Sequence, residues 1–223
     1  MSERAFKRYF LYAVGEILLV VLGILIALQI DNWNENRKDR EKEAAILLKL
    51  NREFSGNLVE FERIYNMNLE KLRDIDTLLH YLEDPDKPGA MKRISEVIWN
   101  SVLGEIYNPS RGTVESLINS GNIDLIQNDT LRDYLTSWPF KLEDYKEEEE
   151  FDQGWVFRLP EYMVKEGSFN HSRGPYASVL KKREFYNNIA MRRAALSQLI
   201  WAAEKEGLRE VIGGIVLLTE PGN

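Results

Sequence analysis

Residues Tyr9–Ile30 read YFLYAVGEILLVVLGILIALQI, and the rest of the chain is interpreted outward from them. Eighteen of these 22 residues are apolar; the exceptions are Gly15, Glu16, Gly23 and Gln29. A helix of this length rises about 33 Å, enough to cross a hydrocarbon core of about 30 Å. Tyr9 and Trp33 stand at its two ends as membrane-interface anchors, with Tyr12 one turn inside. Helices of soluble domains seldom stay apolar for so long. A cleaved signal peptide would have an apolar region of roughly 7–15 residues and a small-x-small exit, and IALQIDNW offers no such exit. The stretch is expected to be an uncleaved, single-pass transmembrane helix.

Its flanks set the expected orientation. Arg4, Lys7, Arg8 and the terminal amine precede it, and Arg37, Lys38, Arg40 and Lys42 follow, so counting cations does not decide. Position does: Lys7 and Arg8 abut the span, whereas the first cation beyond it is Arg37, and Asp31, Glu35, Asp39, Glu41 and Glu43 surround that side. The expected organisation is a short cytoplasmic tail (1–8), a transmembrane helix (9–30), a charged neck (31–43) and an extracytoplasmic helical domain (44–223). In a double-membrane bacterium this is an inner-membrane protein with a periplasmic domain. The absence of cysteine suits that compartment and excludes disulfides, thiolate catalysis and cysteine zinc sites.

Glu16 is the residue that most needs a reason. A carboxylate at mid-membrane costs about 2.5–3.5 kcal/mol on translocon scales. At 100° per residue, Tyr12, Glu16, Gly23 and Ala27 fall on one helical stripe about 60° wide. Gly23-x-x-x-Ala27 is a small-x-x-x-small pair, which lets two helices approach closely. Three readings stand side by side: a self-association stripe with Glu16 facing a partner helix, a proton-carrying carboxylate in an ion-driven machine, and a tolerated protonated side chain near the interface.

Beyond the neck the pattern becomes amphipathic. Leu47, Leu50, Phe54, Leu58, Phe61, Tyr65, Leu69, Leu72, Ile75, Leu79 and Leu82 recur at three- and four-residue steps, predicting a long helix from about Arg40 to Glu83, open to continuity with the membrane helix. Its stripe packs either on its own domain or on a second copy as a coiled coil. DPDKPG at Asp84–Gly89 ends it; the Asp84-x-Asp86 spacing lacks the later ligands of a calcium loop. Further helices are expected over Ala90–Ile106, over Gly112–Ser120 with Gly121 as a left-handed stop, and from Asp129 to Glu166 with breaks near Pro139 and Pro160. A last one is expected from Ser178 to Gly207, continuing towards Leu218. Ile123, Leu125 and Ile126 form an apolar plug, and Asn128 or Asp129 caps the helix that follows. Glu147–Glu150 is read as a solvated turn, and Gly167–Ala177, with His171 and Arg173, as a polar loop. The eight-residue run Val211–Leu218 is too short to span a bilayer. The fold class is therefore all-α: one N-terminal transmembrane helix and a helical bundle with a long amphipathic first helix.

LYAVGEILLVVLGILIALQIDNWNE, Leu11–Glu35, resembles the opening signature of a family of uncharacterised bacterial single-span membrane proteins, catalogued as a domain of unknown function. The residues that carry the likeness are Gly15, Glu16, Gly23, Ala27, Leu28, Gln29, Ile30, Asn32, Trp33, Asn34 and Glu35. SLINSGNIDLIQND, Ser116–Asp129, is similar to the family's second landmark, and Asp31 stands where asparagine is expected. The resemblance implies a membrane anchor and an α-helical domain, and no activity.

Functional expectations are correspondingly spare. The formal net charge of -7 and the single cation among the four acids of the 113–135 helix–turn–helix argue against nucleic acid as a partner. No phosphate-cradling loop, nucleophile elbow or metal-ligand pair occurs, so no catalytic, metal or cofactor-binding residue is nominated and no cofactor is expected. An enzyme whose groups converge only in space stays open. The leading expectation is a membrane-anchored scaffold or sensor that self-associates as a homo-oligomer through Tyr12, Glu16, Gly23 and Ala27. It would touch the lipid bilayer and a further membrane or periplasmic protein. The alternative is an accessory subunit of an ion-driven or export complex, with Glu16 as its intramembrane carboxylate.

Overall fold

The computed structural model describes residues 3–165 and 177–221, and every regular element in them is helical. Helix α1 spans Glu3–Leu82, so the apolar stretch, the charged neck and the amphipathic stretch form one helix. Contacts divide the chain into two units, Met1–Leu47 and Leu48–Asn223.

In the first unit the apolar side chains have no cover. From Ile17 to Ile30 every large apolar residue is exposed, ranging from 45% at Val21 to 72% at Leu19. The neck carries ion pairs within the helix, Arg37 with Glu41 and Lys42 with Asp39, the spacing at which oppositely charged side chains meet.

The second unit is built on three helices whose buried faces share one periodicity. In α1 the buried seam is Leu50, Phe54, Asn57, Phe61, Ile64, Asn68, Lys71, Ile75, Leu78 and Leu82, alternating steps of four and three. Helix α4, Asp129–Lys165, repeats the pattern through Leu131, Leu135, Trp138, Leu142, Tyr145, Glu149, Asp152, half-buried Val156, Leu159 and Met163. Helix α6, Arg183–Lys205, does so through Phe185, Ile189, Arg192, Leu196, Leu199 and Ala203. A mean step of 3.5 residues keeps a seam facing its neighbour along a helix pair. Phe54 meets Trp138 and Phe61 meets Tyr145 edge-on, at the same sequence offset, so α1 and α4 run parallel. Tyr65 bonds Glu204 and Asp76 pairs with Arg193, which makes α6 antiparallel to α1; Asp152–Arg192 and Tyr162–Phe185 make it antiparallel to α4.

This seam corrects the apolar stripe. Leu58, Leu69, Leu72 and Leu79 are half-buried flanks, while Asn57, Asn68, Lys71 and Leu78 occupy the buried positions beside them. The long helix packs on its own domain.

The remaining elements join α1 to α4. Helix α2, Ala90–Val102, follows the 84–89 turn and buries Ile94, Val97 and Ile98. It stops four residues short of Ile106 because Leu103 turns extended, at φ -89° and ψ 152°. Helix α3, Gly112–Asn119, ends at Gly121, whose φ of 71° is a conformation that a side chain resists. A 3-10 turn, Asn122–Leu125, brings in Ile126, fully buried, whereas Ile123 and Leu125 are only partly covered. Asn128 then accepts the Leu131 N–H through its side chain, the cap that the sequence suggests.

Two expected breaks are absent and two unexpected ones occur. Helix α4 runs through Pro139 and Pro160. Each proline follows a buried seam residue, Trp138 or Leu159, and lies on the flank, Pro139 exposed and Pro160 half-buried. Burial of the adjoining turns offsets an interior-proline cost of about 3 kcal/mol. The last helix is instead three: α5 (Ala177–Leu180), α6, and α7 (Leu208–Leu218). Lys182 is extended at ψ 129°, and Gly207 takes φ 86° between α6 and α7. The Val211–Leu218 run packs inward through Val211, Ile212 and Ile215. His171 and most of the 167–177 loop, Arg173 included, lie outside the described residues; His80 is exposed.

Candidate functional site

The nominated membrane-helix residues all lie on α1. Glu16, Gly23, Ala27 and Trp33 are exposed, and no other side chain comes within 4 Å of where a Cβ on Gly23 would project. The side chains of Tyr9 and Tyr12 lie outside the described ones.

In the second unit, polar side chains converge on the non-helical strap from Leu103 to Arg111, of which the sequence reading left only 107–111 outside its helices. A segment that belongs to no helix needs side-chain partners for its buried backbone groups. Six residues from α1, α4 and α6 supply them. Arg192 donates to the Ser101 and Leu103 carbonyls at 2.5 and 2.6 Å, capping the C-terminus of α2 with a cation. Gln153 donates to the Glu105 carbonyl at 3.0 Å. Glu149 accepts the Tyr107 N–H at 2.6 Å, and the Lys146 ammonium donates both to the Tyr107 carbonyl and, at 2.7 Å, to Glu149. Asn57 exchanges two bonds of 2.8 Å with the N–H and C=O of Ser110. Glu53 accepts from Thr113 and Val114 N–H at 2.8 and 3.4 Å, capping α3 from outside. Tyr107, fully buried, packs edge-on to Phe61 and Tyr145, and its hydroxyl donates to the Asn57 carbonyl at 3.2 Å.

This overturns the reading of Glu147–Glu150 as uniformly solvated. Glu149 is 3% exposed and holds the strap. Lys146, Glu149 and Gln153 are spaced i, i+3, i+7, one face of α4. A detectable signal existed: extending the 4-3 register from Leu142 and Tyr145 puts Glu149 and Asp152 in the core.

Lys71, Asp152 and Arg192, each nearly inaccessible, form a buried ionic group. The Arg192 Nε lies 3.7 Å from the Asp152 Oδ1, and neither atom has a hydrogen-bond partner; nor does the Lys71 ammonium. Burial raises the Asp152 carboxyl above its ordinary range, against the pull of Arg192 and Lys71. Burial also lowers the Lys71 ammonium, while Glu105 and Asp152 draw it back up. The group sets two cations against one carboxylate inside the bundle and contains no histidine. Among the described residues no set of three or more His, Cys, Asp or Glu could hold a metal ion.

Outside this core, a cleft of about 340 Å³ lies between the end of the strap and α4. Pro109, Trp138 and Leu142 form its floor, and Arg111, Glu115, Glu143 and Lys146 its rim.

A family model described as "Family of unknown function (DUF6090)" matches residues 16–146, more than half of the chain. No curated protein and no solved structure matches.

Proposed function

This chain belongs to the family of unknown function DUF6090, and we propose that it is a membrane-anchored helical interaction module, a scaffold or sensor, that self-associates through its N-terminal helix. The observation that carries the proposal is the uncovered apolar surface of α1: large side chains from Ile17 to Ile30 are exposed and none of the stretch is buried within the chain. Contiguous apolar surface beyond a few hundred Å² marks a lipid or partner contact. Lipid satisfies it because a helix keeps its own backbone bonds in hydrocarbon.

The span lies in the inner membrane, with the N-terminus cytoplasmic and residues 48–223 periplasmic, since Lys7 and Arg8 abut the cytoplasmic end. The module binds rather than catalyses. Tyr12, Glu16, Gly23 and Ala27 face a second copy, where close backbone approach at Gly23 and Ala27 lets Glu16 share a hydrogen bond across the pair.

The test is in-membrane crosslinking of the full chain with mass determination in mild detergent. Glu16→Gln combined with Gly23→Leu is expected to reduce the crosslinked oligomer several-fold; unchanged crosslinking refutes self-association through this stripe. Release of the unmodified protein from membranes by alkaline carbonate refutes the anchor. One observation favours a second reading: Glu16 is the sole acidic or basic residue between Arg8 and Asp31. If the chain is an accessory subunit of an ion-driven or export complex, Glu16→Gln leaves assembly intact and abolishes transport.

A further inference from the structure

The charges around the 340 Å³ cleft are not equally available. Lys146 is already committed to Glu149 and to the Tyr107 carbonyl. Arg111 faces Glu115 at 3.5 Å. Glu143, exposed at the same rim, has no ion-pair or hydrogen-bond partner among the described residues. One carboxylate is therefore left over above a floor made by the buried Pro109, Trp138 and Leu142. The volume lies at the small end of the range for ligand sites, roughly 300–1,000 Å³.

We propose that this cleft is a binding site for a small organic cation, an ammonium group on a compact hydrocarbon body. The ammonium pairs with Glu143, and the hydrocarbon covers Leu142 and Pro109. Anionic ligands are selected against for a specific reason. Lys146 and Arg111 are already neutralised by Glu149 and Glu115, so an anion would meet Glu143 with no uncompensated cation to receive it. The same commitment links the cleft to the strap, because Lys146 and Glu149 hold both backbone groups of Tyr107. An occupant that leaves this pair in place and buries Pro109 favours the strap's present conformation, so it raises the melting temperature as it binds.

Three probes of similar shape test the site on the full-length chain in detergent: benzylammonium, benzoate and benzyl alcohol. The readout is the indole N–H signal of Trp138 in tryptophan-labelled protein, one of five such signals, identified by its loss in Trp138→Phe. Benzylammonium is expected to shift it saturably, with a dissociation constant on the order of millimolar for so few atoms. Benzyl alcohol, without the charge, should need about three- to fivefold more to give the same shift, and benzoate more still. Glu143→Gln should weaken benzylammonium about three- to fivefold, the range of one exposed charge pair. Glu150→Gln, an exposed acid that does not line the cleft, should not. Both variants alter exposed side chains, and unchanged melting temperatures establish that they fold. Equal shifts from all three probes, tighter binding of benzoate, indifference to Glu143→Gln or the absence of a saturable shift would each overturn the proposal.

Discussion

Two stretches of α1 obey opposite rules. Between Ile17 and Ile30 the helix is apolar on every side and nothing in the chain covers it; between Leu50 and Leu82 it is polar overall and buries one narrow seam. In the first, the number of apolar residues carries the information and phase decides no burial, because the chain supplies no neighbour that would select one side. In the second, phase is everything. A position is buried because α4 and α6 share its 3.5-residue step, and that holds even where the residue is Asn57, Asn68 or Lys71. Burial follows register, and polar residues caught in the register must find partners or bear a desolvation cost.

The sharpest way to break this comparison is a matched pair of truncations. Ile64→Ala, at a fully buried seam position, is expected to destabilise the C-terminal unit by about 2–5 kcal/mol. Ile24→Ala, in the exposed stretch, should change it by no more than about 0.5 kcal/mol. Urea unfolding in mild detergent, followed by near-ultraviolet circular dichroism, measures both; equal losses would erase the distinction.

Asn57→Leu probes the seam differently. It places an apolar residue at a seam position, which a count of apolar residues would score as a gain. A loss of about 1–3 kcal/mol is expected instead, since the Ser110 N–H and C=O lose their partner. Faster amide exchange confined to the strap would mark the same event, and a stabilised variant would show that the clamp contributes nothing.

The smallest effect is expected at Lys71. Burial lowers its ammonium below the unfolded value, so the unfolded chain binds more protons in the window between the two. Stability from this group therefore rises with pH through that window, towards the unfolded pKa of about 10.4, and its penalty is fully present below it. Lys71→Met should stabilise the domain at pH 7 by about 1 kcal/mol and remove the alkaline rise. Urea midpoints at pH 7 and pH 10 test this, and a variant that retains the rise assigns it to another group.

How much was legible can be judged residue by residue. The helical class, the long first helix, the Asp84–Gly89 turn, the left-handed Gly121 and the Asn128 cap follow from local chemistry, and the structure has each of them. Pro139 and Pro160 misled, because a local rule about helix interiors was outweighed by burial on either side. Gly207 misled in the opposite direction, ending a helix where apolar periodicity runs on. Glu149, Asp152 and Arg192 were passed over because charge was taken as a sign of exposure; the 4-3 register drawn through their apolar neighbours places all three inside. The strap left no such trace. Its backbone partners come from three helices as many as 89 residues away in sequence.

By itself the sequence determined that the chain is helical, that one stretch is greasy on all sides, and where most turns and caps fall. Those properties depend on backbone preference and on residue counts within a few turns. Only the tertiary structure decided which face of each long helix is buried, and that Arg192 and Glu149 hold the nine residues from Leu103 to Arg111 between α2 and α3. The reason is that a backbone carbonyl or a seam position acquires its partner from whatever packs opposite, and that neighbour is not written within reach of the local chain.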